Sequence, residues 1–433
     1  MAYVIPIPPD PATLDGLLKL LIREKPVNMG ADSEKMYGLV RDEHNNLRIP
    51  FGLAKSLWNV QSHQLHQLPR KAIQTTIELG SGGREYQIAT YNALCDLMLK
   101  QHVAYLSLYC GAGKTIIASK LICDMGIKAA VITETALIFP QWLHVFRTQT
   151  NAVVHGIASP VEQLPEGDVY IIMAEAARKM HPSILAGIQL LVVDEALYFM
   201  TTNRIPSMLN FTPSYVLGLC AEVKRDDGMH CFLPYFFGHN MIRRISQKPF
   251  TVFRIETNYK PIVSYARYSG KVDWNTVLDS ISENEERNND IVYLCQTQPD
   301  SKIIIGTKRK EQARELYRKL KEAGENVALL IENMKTIPQC RILVGIYSKM
   351  GKGVDVKNLC PLWEGEVFDA CILAADNCKP EQFVGRVFRH DNPVVYDFVD
   401  DYSTFRSHFT KKRLPWYKSR KGTIVNTVIN RPK

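Results

Sequence analysis

The chain has no uninterrupted apolar run of the roughly 18 residues that a membrane span needs. A membrane-embedded protein is therefore not expected. Its opening residues, MAYVIPIPPDPATLDG, have no basic stretch and are broken by prolines, so they do not read as a secretory leader. The ten cysteines are scattered, and most sit in apolar strand-like runs such as YLCQ and DACILAA. They read as reduced, buried thiols of an intracellular protein rather than a disulfide framework. The spacing from Cys371 to Cys378 fits no zinc pattern. There is no internal repeat and no low-complexity segment. From Thr404 to Lys433 there is no acidic residue at all.

That last absence locates the net charge. Arg406, Lys411, Lys412, Arg413, Lys418, Arg420, Lys421, Arg431 and Lys433 are nine basic residues, and the whole chain carries +9. The rest is neutral on balance. A basic tail holding Trp416 and Tyr417 suits phosphate contacts and base stacking. It also suits a solubilising, weakly ordered terminus.

With 433 residues, the chain exceeds one ordinary core and calls for two or three domains. Residues 1–78 read as a small α+β extension, with one amphipathic helix started by Thr13 or Asp15 and a strand running into a helix at LRIPFGLAKSLW. It carries no chemistry in its sequence, and a nucleic-acid or partner contact is one role it could serve. From Arg84 the runs VAYLSL, AAVIT, VYIIM, LLVVD and YVLGL alternate with helical stretches. Near-continuous apolar strands of this kind belong to a parallel sheet covered on both faces. A polar connector with a helix, Lys260 to Asp290, interrupts the rhythm. It resumes with KIIIG, a helix closed at Gly324, then VALLI, RILVGIY, FDACILAA and VVYDFV. The plan is two α/β sheets in tandem, with boundaries at 79–258 and 259–403 and a basic tail at 404–433.

Three stretches carry chemistry. In LYCGAGKTII, a buried strand runs into a glycine-rich turn and a helix. Gly111, Ala112 and Gly113 let backbone amides approach anionic oxygens, Lys114 reaches the β- and γ-phosphates, and Thr115 supplies a hydroxyl to magnesium. Leu108 stands where the full pattern has its first glycine. In LLVVDEAL, a buried strand ends in two acids. Asp194 suits magnesium, and Glu195 suits orienting and deprotonating a water. Adjacent acids are also favoured at the start of a helix. In EQFVGRVFRHD, read as a helix, Gln382, Arg386 and Arg389 share one face. Two arginines there suit a γ-phosphate, although a solvated face has the same pattern.

The ordered series REYQ, CGAGKT, PQW, VVDEA, LGLCAEVKRDDG, SKMGKGVDV and QFVGRVFR resembles superfamily 2 helicases. The branch is the XPB-like one, with the look of helicases of large DNA viruses, over roughly Arg84 to Val399. The resemblance implies two RecA-like domains that bind ATP and Mg²⁺. It implies adenine recognition by Gln87, catalytic roles for Lys114, Asp194, Glu195, Gln382 and Arg386, and an arginine finger at Arg389. Gly353 and Asp355 would couple nucleotide to strand contacts. Gln141, Trp142, Lys308 and Ser348 would lie along the nucleic-acid track, joined by Lys411, Lys412, Arg413 and Trp416 of the tail. DNA is favoured over RNA, and 3′ to 5′ movement is implied. Transcription or replication machinery is an implied partner, in host cytoplasm, nucleus or virion. The chain departs from the family pattern at Leu197, where a histidine is usual, and at Cys220–Glu222, where Ser/Thr-Ala-Thr is usual. Two other classes stay open: a nucleotide-binding scaffold that does little work, and a P-loop kinase or metabolic ATPase.

Overall fold

The computed structural model describes residues 2–431 apart from 6–9, 26–33, 61–62, 83, 110, 137, 226, 247, 268–269, 332–333, 335, 351–359 and 361–366. It divides into two units, Met1–Arg244 and Ile245–Lys433.

In the first unit, seven strands lie in the order Met241–Arg244, Val103–Leu108, Tyr215–Cys220, Leu190–Val193, Ala129–Thr133, Val169–Met173 and Val154–Ile157. Every neighbouring pair is parallel. Four of these strands are buried along their whole length, because both faces of the sheet are covered. Leu191 and Val193 point into one apolar cluster, and Leu190 and Val192 into another. Each such side chain contributes about 1.5–3 kcal/mol by leaving water.

The N-terminal segment is built onto this unit. Strands Ala2–Ile5, Leu47–Pro50 and Val40–Arg41 make a three-stranded sheet. The helix Pro11–Leu21 starts earlier than Thr13 or Asp15, because Asp10 caps it by accepting from the amides of Ala12 and Thr13. Leu17, Leu21 and Ile49 join the cluster that holds Phe211 and Phe232. The Ala2 amide donates to the Phe211 carbonyl at 2.7 Å, and Arg48 Nε donates to the Leu209 carbonyl at 2.9 Å.

The second unit is another seven-stranded, all-parallel sheet. Its order is Val327–Leu330, Ile342–Ile346, Ile303–Thr307, Ala370–Leu373, Val394–Val399, Phe250–Glu256 and Gly422–Thr427. Three differences from the sequence reading follow. Phe250–Glu256 belongs to this sheet, between Val394–Val399 and Gly422–Thr427, so a first domain ending at 258 is too long. The basic tail is not an appendage either, since Gly422–Thr427 forms an edge strand of the sheet. The connector holds two helices, Trp274–Ser282 and Glu285–Gln296, rather than one. Among the described residues no helix is long and apolar enough to cross a membrane.

Candidate functional site

In the first unit the phosphate loop and the acidic pair stand on either side of one strand. Val103–Leu108 leads into the loop, Leu190–Val193 leads into Asp194, and Tyr215–Cys220 runs between them. All three end at the same edge because they are parallel. The carboxyl edge of such a sheet is where α/β folds bind ligands.

The loop's shape depends on glycine. Gly111 and Gly113 have φ of 83° and 90°, which only glycine adopts without strain. A Cβ on Gly113 would stand 2.3 Å from Gln87 Nε2. Lys114 opens the helix Lys114–Met125, and its Nζ donates to the Leu108 carbonyl at 3.2 Å. Ala112 is buried, Gly111 is exposed, and Thr115 is half-buried. Gln87 is buried beneath the loop. Its Nε2 donates to the Ala112 carbonyl at 3.0 Å, and its Oε1 accepts from the Gly80 amide at 3.2 Å. In this conformation Gln87 serves the loop, and contact with a base requires its amide to share those bonds.

Asp194 is 6% exposed. Its Oδ2 accepts from Trp142 Nε1 at 2.8 Å, and its Oδ1 accepts from the Glu195 amide at 2.9 Å. Burial and then the neighbouring Glu195 charge push its carboxyl up to about 6, while the Trp142 bond and the Lys114 charge pull the other way. A carboxylate so placed suits a hard cation, which removes both penalties. Glu195 holds a left-handed φ of 53°, a conformation that costs a non-glycine residue energy. Its Oε2 accepts from the Cys220 thiol at 3.6 Å. Burial keeps that thiol protonated, well above the ordinary range, so it remains a donor. Leu197, where a histidine was the expected family residue, is buried in the apolar core.

Trp142 overturns its sequence assignment. It is 0% exposed, so it cannot touch a strand, and it orients Asp194 instead. The signal was in the sequence: Phe139, Trp142, Leu143 and Phe146 recur at helical spacing and mark the core face of the helix Phe139–Gln149. Gln141 beside it is half-buried. Cys220 stands out in the sequence only as a departure from the family pattern, yet its thiol is bonded to Glu195.

In the second unit EQFVGRVFRHD is not one helix. It forms a short helix, Glu381–Val384, a turn, and a 3₁₀ segment, Val387–Arg389. Gln382 and Arg386 are half-buried, and Arg389 is exposed. Lys308 directly follows strand Ile303–Thr307, and Ser348 lies in the short helix Tyr347–Met350 that follows strand Ile342–Ile346; both are exposed and share the carboxyl edge of this sheet. Gly353 and Asp355 lie outside the described residues.

Two tail assignments are corrected as well. Arg413 is 0% exposed, and its guanidinium is held by the buried carboxylates of Asp376 and Asp397. Trp416 is half-buried, with its ring parallel to Phe388 at 6.3 Å and the Arg420 guanidinium standing 4.5 Å over it. Arg406, Arg420 and Arg431 pair with Asp401, Glu381 and Glu286. Four arginines uncompensated along the sequence are thus compensated in space, while Lys411, Lys412, Lys418 and Lys421 are exposed.

Residues 81–225 match the family model for the type III restriction enzyme res subunit. The chain is 29% identical over 409 residues to putative helicase 161L of Invertebrate iridescent virus 6, covering 87% of this chain and 89% of that one. It is 26% identical over 217 residues to the DNA 3'-5' translocase XPB2 of Sulfurisphaera tokodaii, covering 49% and 46%. Its fold is similar to that of S. cerevisiae Dbp5 bound to RNA and ADP BeF3, at a TM-score of 0.55 and 12% identity, over 88% of this chain and 94% of that one. Two parallel-sheet units, a glycine loop before Lys114 and an Asp-Glu strand end accord with these matches, and the chain is a relative of the putative helicases of large DNA viruses.

Proposed function

We propose that the chain is an ATP-driven nucleic-acid helicase or translocase that tracks along DNA. The observation that carries this reading is the arrangement around Tyr215–Cys220. A glycine loop with Lys114 lies on one side, Asp194 and Glu195 lie on the other, and Cys220 bonds Glu195 between them. Lys114 and the loop amides hold the phosphates, and the N-terminus of Lys114–Met125 favours their charge. Thr115 and Asp194 would hold Mg²⁺, which supplies charge neutralisation at the phosphates. Glu195 accepts the proton of the attacking water, with its other oxygen fixed by the Cys220 thiol. Arg389, supported by Arg386 and Gln382, meets the charge that develops on the γ-phosphate. Strand contacts fall on phosphates through Lys308, Ser348, Lys411 and Lys412, so affinity drops steeply with salt. The likeness to a 3'-5' DNA translocase supports DNA and that polarity.

Displacement of a labelled strand from duplexes with single-stranded tails tests this. Movement with ATP from a 3′ tail is the expected result. Binding without movement under any condition favours the second reading, an ATPase-weak module that scaffolds a transcription or packaging complex. Leu197 and the Cys220–Glu222 substitution are the features that favour it.

A further inference from the structure

The second unit carries a cluster that the nucleotide reading leaves unused. Asp376 and Cys378 lie in the loop between strand Ala370–Leu373 and helix Glu381–Val384, and His408 ends the helix Ser403–His408. His408 Nδ1 is 2.6 Å from Asp376 Oδ2, and Cys378 Sγ is 4.0 Å from the same oxygen. The three ligand atoms all lie within 4.8 Å of one another, the one such group among the described residues.

We propose that Asp376, Cys378 and His408 form a binding site for a zinc-class divalent ion, with water as the fourth ligand. The donor set fits that class: a thiolate, an imidazole and a carboxylate suit a borderline metal, whereas magnesium takes oxygen alone. Tetrahedral zinc bonds of about 2.0–2.3 Å place neighbouring ligand atoms roughly 3.3–3.8 Å apart. The two separations from Asp376 Oδ2 bracket that range and the third pair lies within 4.8 Å, so side-chain shifts of about 1 Å complete the site.

The surroundings resemble the outer partners that fix metal ligands. Arg413 donates Nη1 to Asp376 Oδ1, leaving Oδ2 turned toward His408 and Cys378. Arg413 is itself fixed by Nε to Asp397 Oδ2 at 2.9 Å, and the Tyr417 hydroxyl donates to that same oxygen at 2.8 Å. The Trp274 ring lies 6.4 Å from the His408 ring at 26°, which restrains the imidazole. Asp376 is buried, but Cys378 and His408 are half-buried, so one side stays open to an ion and a water. On binding, the thiol releases its proton to solvent and the imidazole binds neutral through Nδ1. The ion would staple the C-terminal segment to the loop that leads into Gln382.

The test is independent of the nucleotide reading. Full-length, reduced protein is titrated with Co²⁺ while the thiolate-to-cobalt charge-transfer band and the visible bands are followed. One equivalent is expected to saturate both, and Zn²⁺ is expected to bleach them. Cys378→Ser should abolish the charge-transfer band, and His408→Ala should weaken binding at least tenfold. Cys231→Ser, at an exposed thiol of the first unit, should change nothing. No band in the wild-type protein at one equivalent would overturn the proposal and leave the cluster an ion pair only. A band that survives in Cys378→Ser would overturn it equally. The first outcome is read on the wild-type protein alone, so it does not depend on the folding of any variant.

Discussion

The indole nitrogen of Trp142 donates to Asp194 Oδ2 at 2.8 Å across 52 residues of sequence, and both groups are buried. Through this bond the helix that also carries Gln141 is tied to the carboxylate assigned to the metal. Trp142→Phe keeps the ring and removes the donor. The buried carboxylate then loses a bond worth about 1–3 kcal/mol to it, and its affinity for a proton rises. A several-fold higher magnesium requirement for ATP hydrolysis is expected, with the Gln141 helix still in place. Unchanged magnesium dependence would show that the bond does not orient Asp194.

The glycine at 113 is tested by Gly113→Ala. The new methyl group collides with the Gln87 amide, and φ of 90° strains any residue other than glycine. Loss of nucleotide binding is expected, with a stability cost on the order of 1–3 kcal/mol. Titration of a fluorescent nucleotide and a melting curve read the two effects separately.

Lys411 and Arg413 are neighbours in sequence with opposite fates. Arg413→Met leaves Asp376 and Asp397 buried without their cation, so a loss of about 3–5 kcal/mol is expected. Lys411→Ala with Lys412→Ala should leave the melting temperature unchanged. It should weaken DNA binding at low salt and reduce the salt slope by about one for each phosphate that is no longer neutralised. Salt-dependent binding isotherms distinguish the two classes.

Acid sensitivity is expected from His102. Its ring is buried, stacks on Tyr215 at 4.5 Å, and has its protonation pushed down to about 4, first by burial and then by Lys55. The unfolded chain takes up the proton near 6.5, and the folded chain does not. Stability from this group is therefore complete above about 6.5 and is lost as pH falls toward 4. The loss is on the order of 2–3 kcal/mol. His102 has a φ of 62°, which asparagine tolerates, so His102→Asn should flatten the melting temperature between those pH values.

The buried strands and the phosphate loop were legible because each is written in consecutive residues. A strand covered on both faces is a plain apolar run, and a glycine loop followed by Lys-Thr is contiguous. What escaped was long-range. Phe250–Glu256 looks like a continuation of the first unit until its partners, Val394–Val399 and Gly422–Thr427, are known. The tail appears uncompensated because the acids that meet Arg413, Asp376 and Asp397, lie 37 and 16 residues away. The cluster of Asp376, Cys378 and His408 is hidden for the same reason, since no short spacing joins His408 to the other two.

The central claim is that the site around Lys114, Asp194 and Glu195 hydrolyses ATP under the control of a nucleic-acid track. The most direct measurement is ATP hydrolysis by wild type and Glu195→Gln, each without polymer and with single-stranded DNA, double-stranded DNA or RNA. The account predicts stimulation by DNA in the wild type, abolished in Glu195→Gln while nucleotide still binds. Turnover indifferent to every polymer, or no turnover at all, would contradict it.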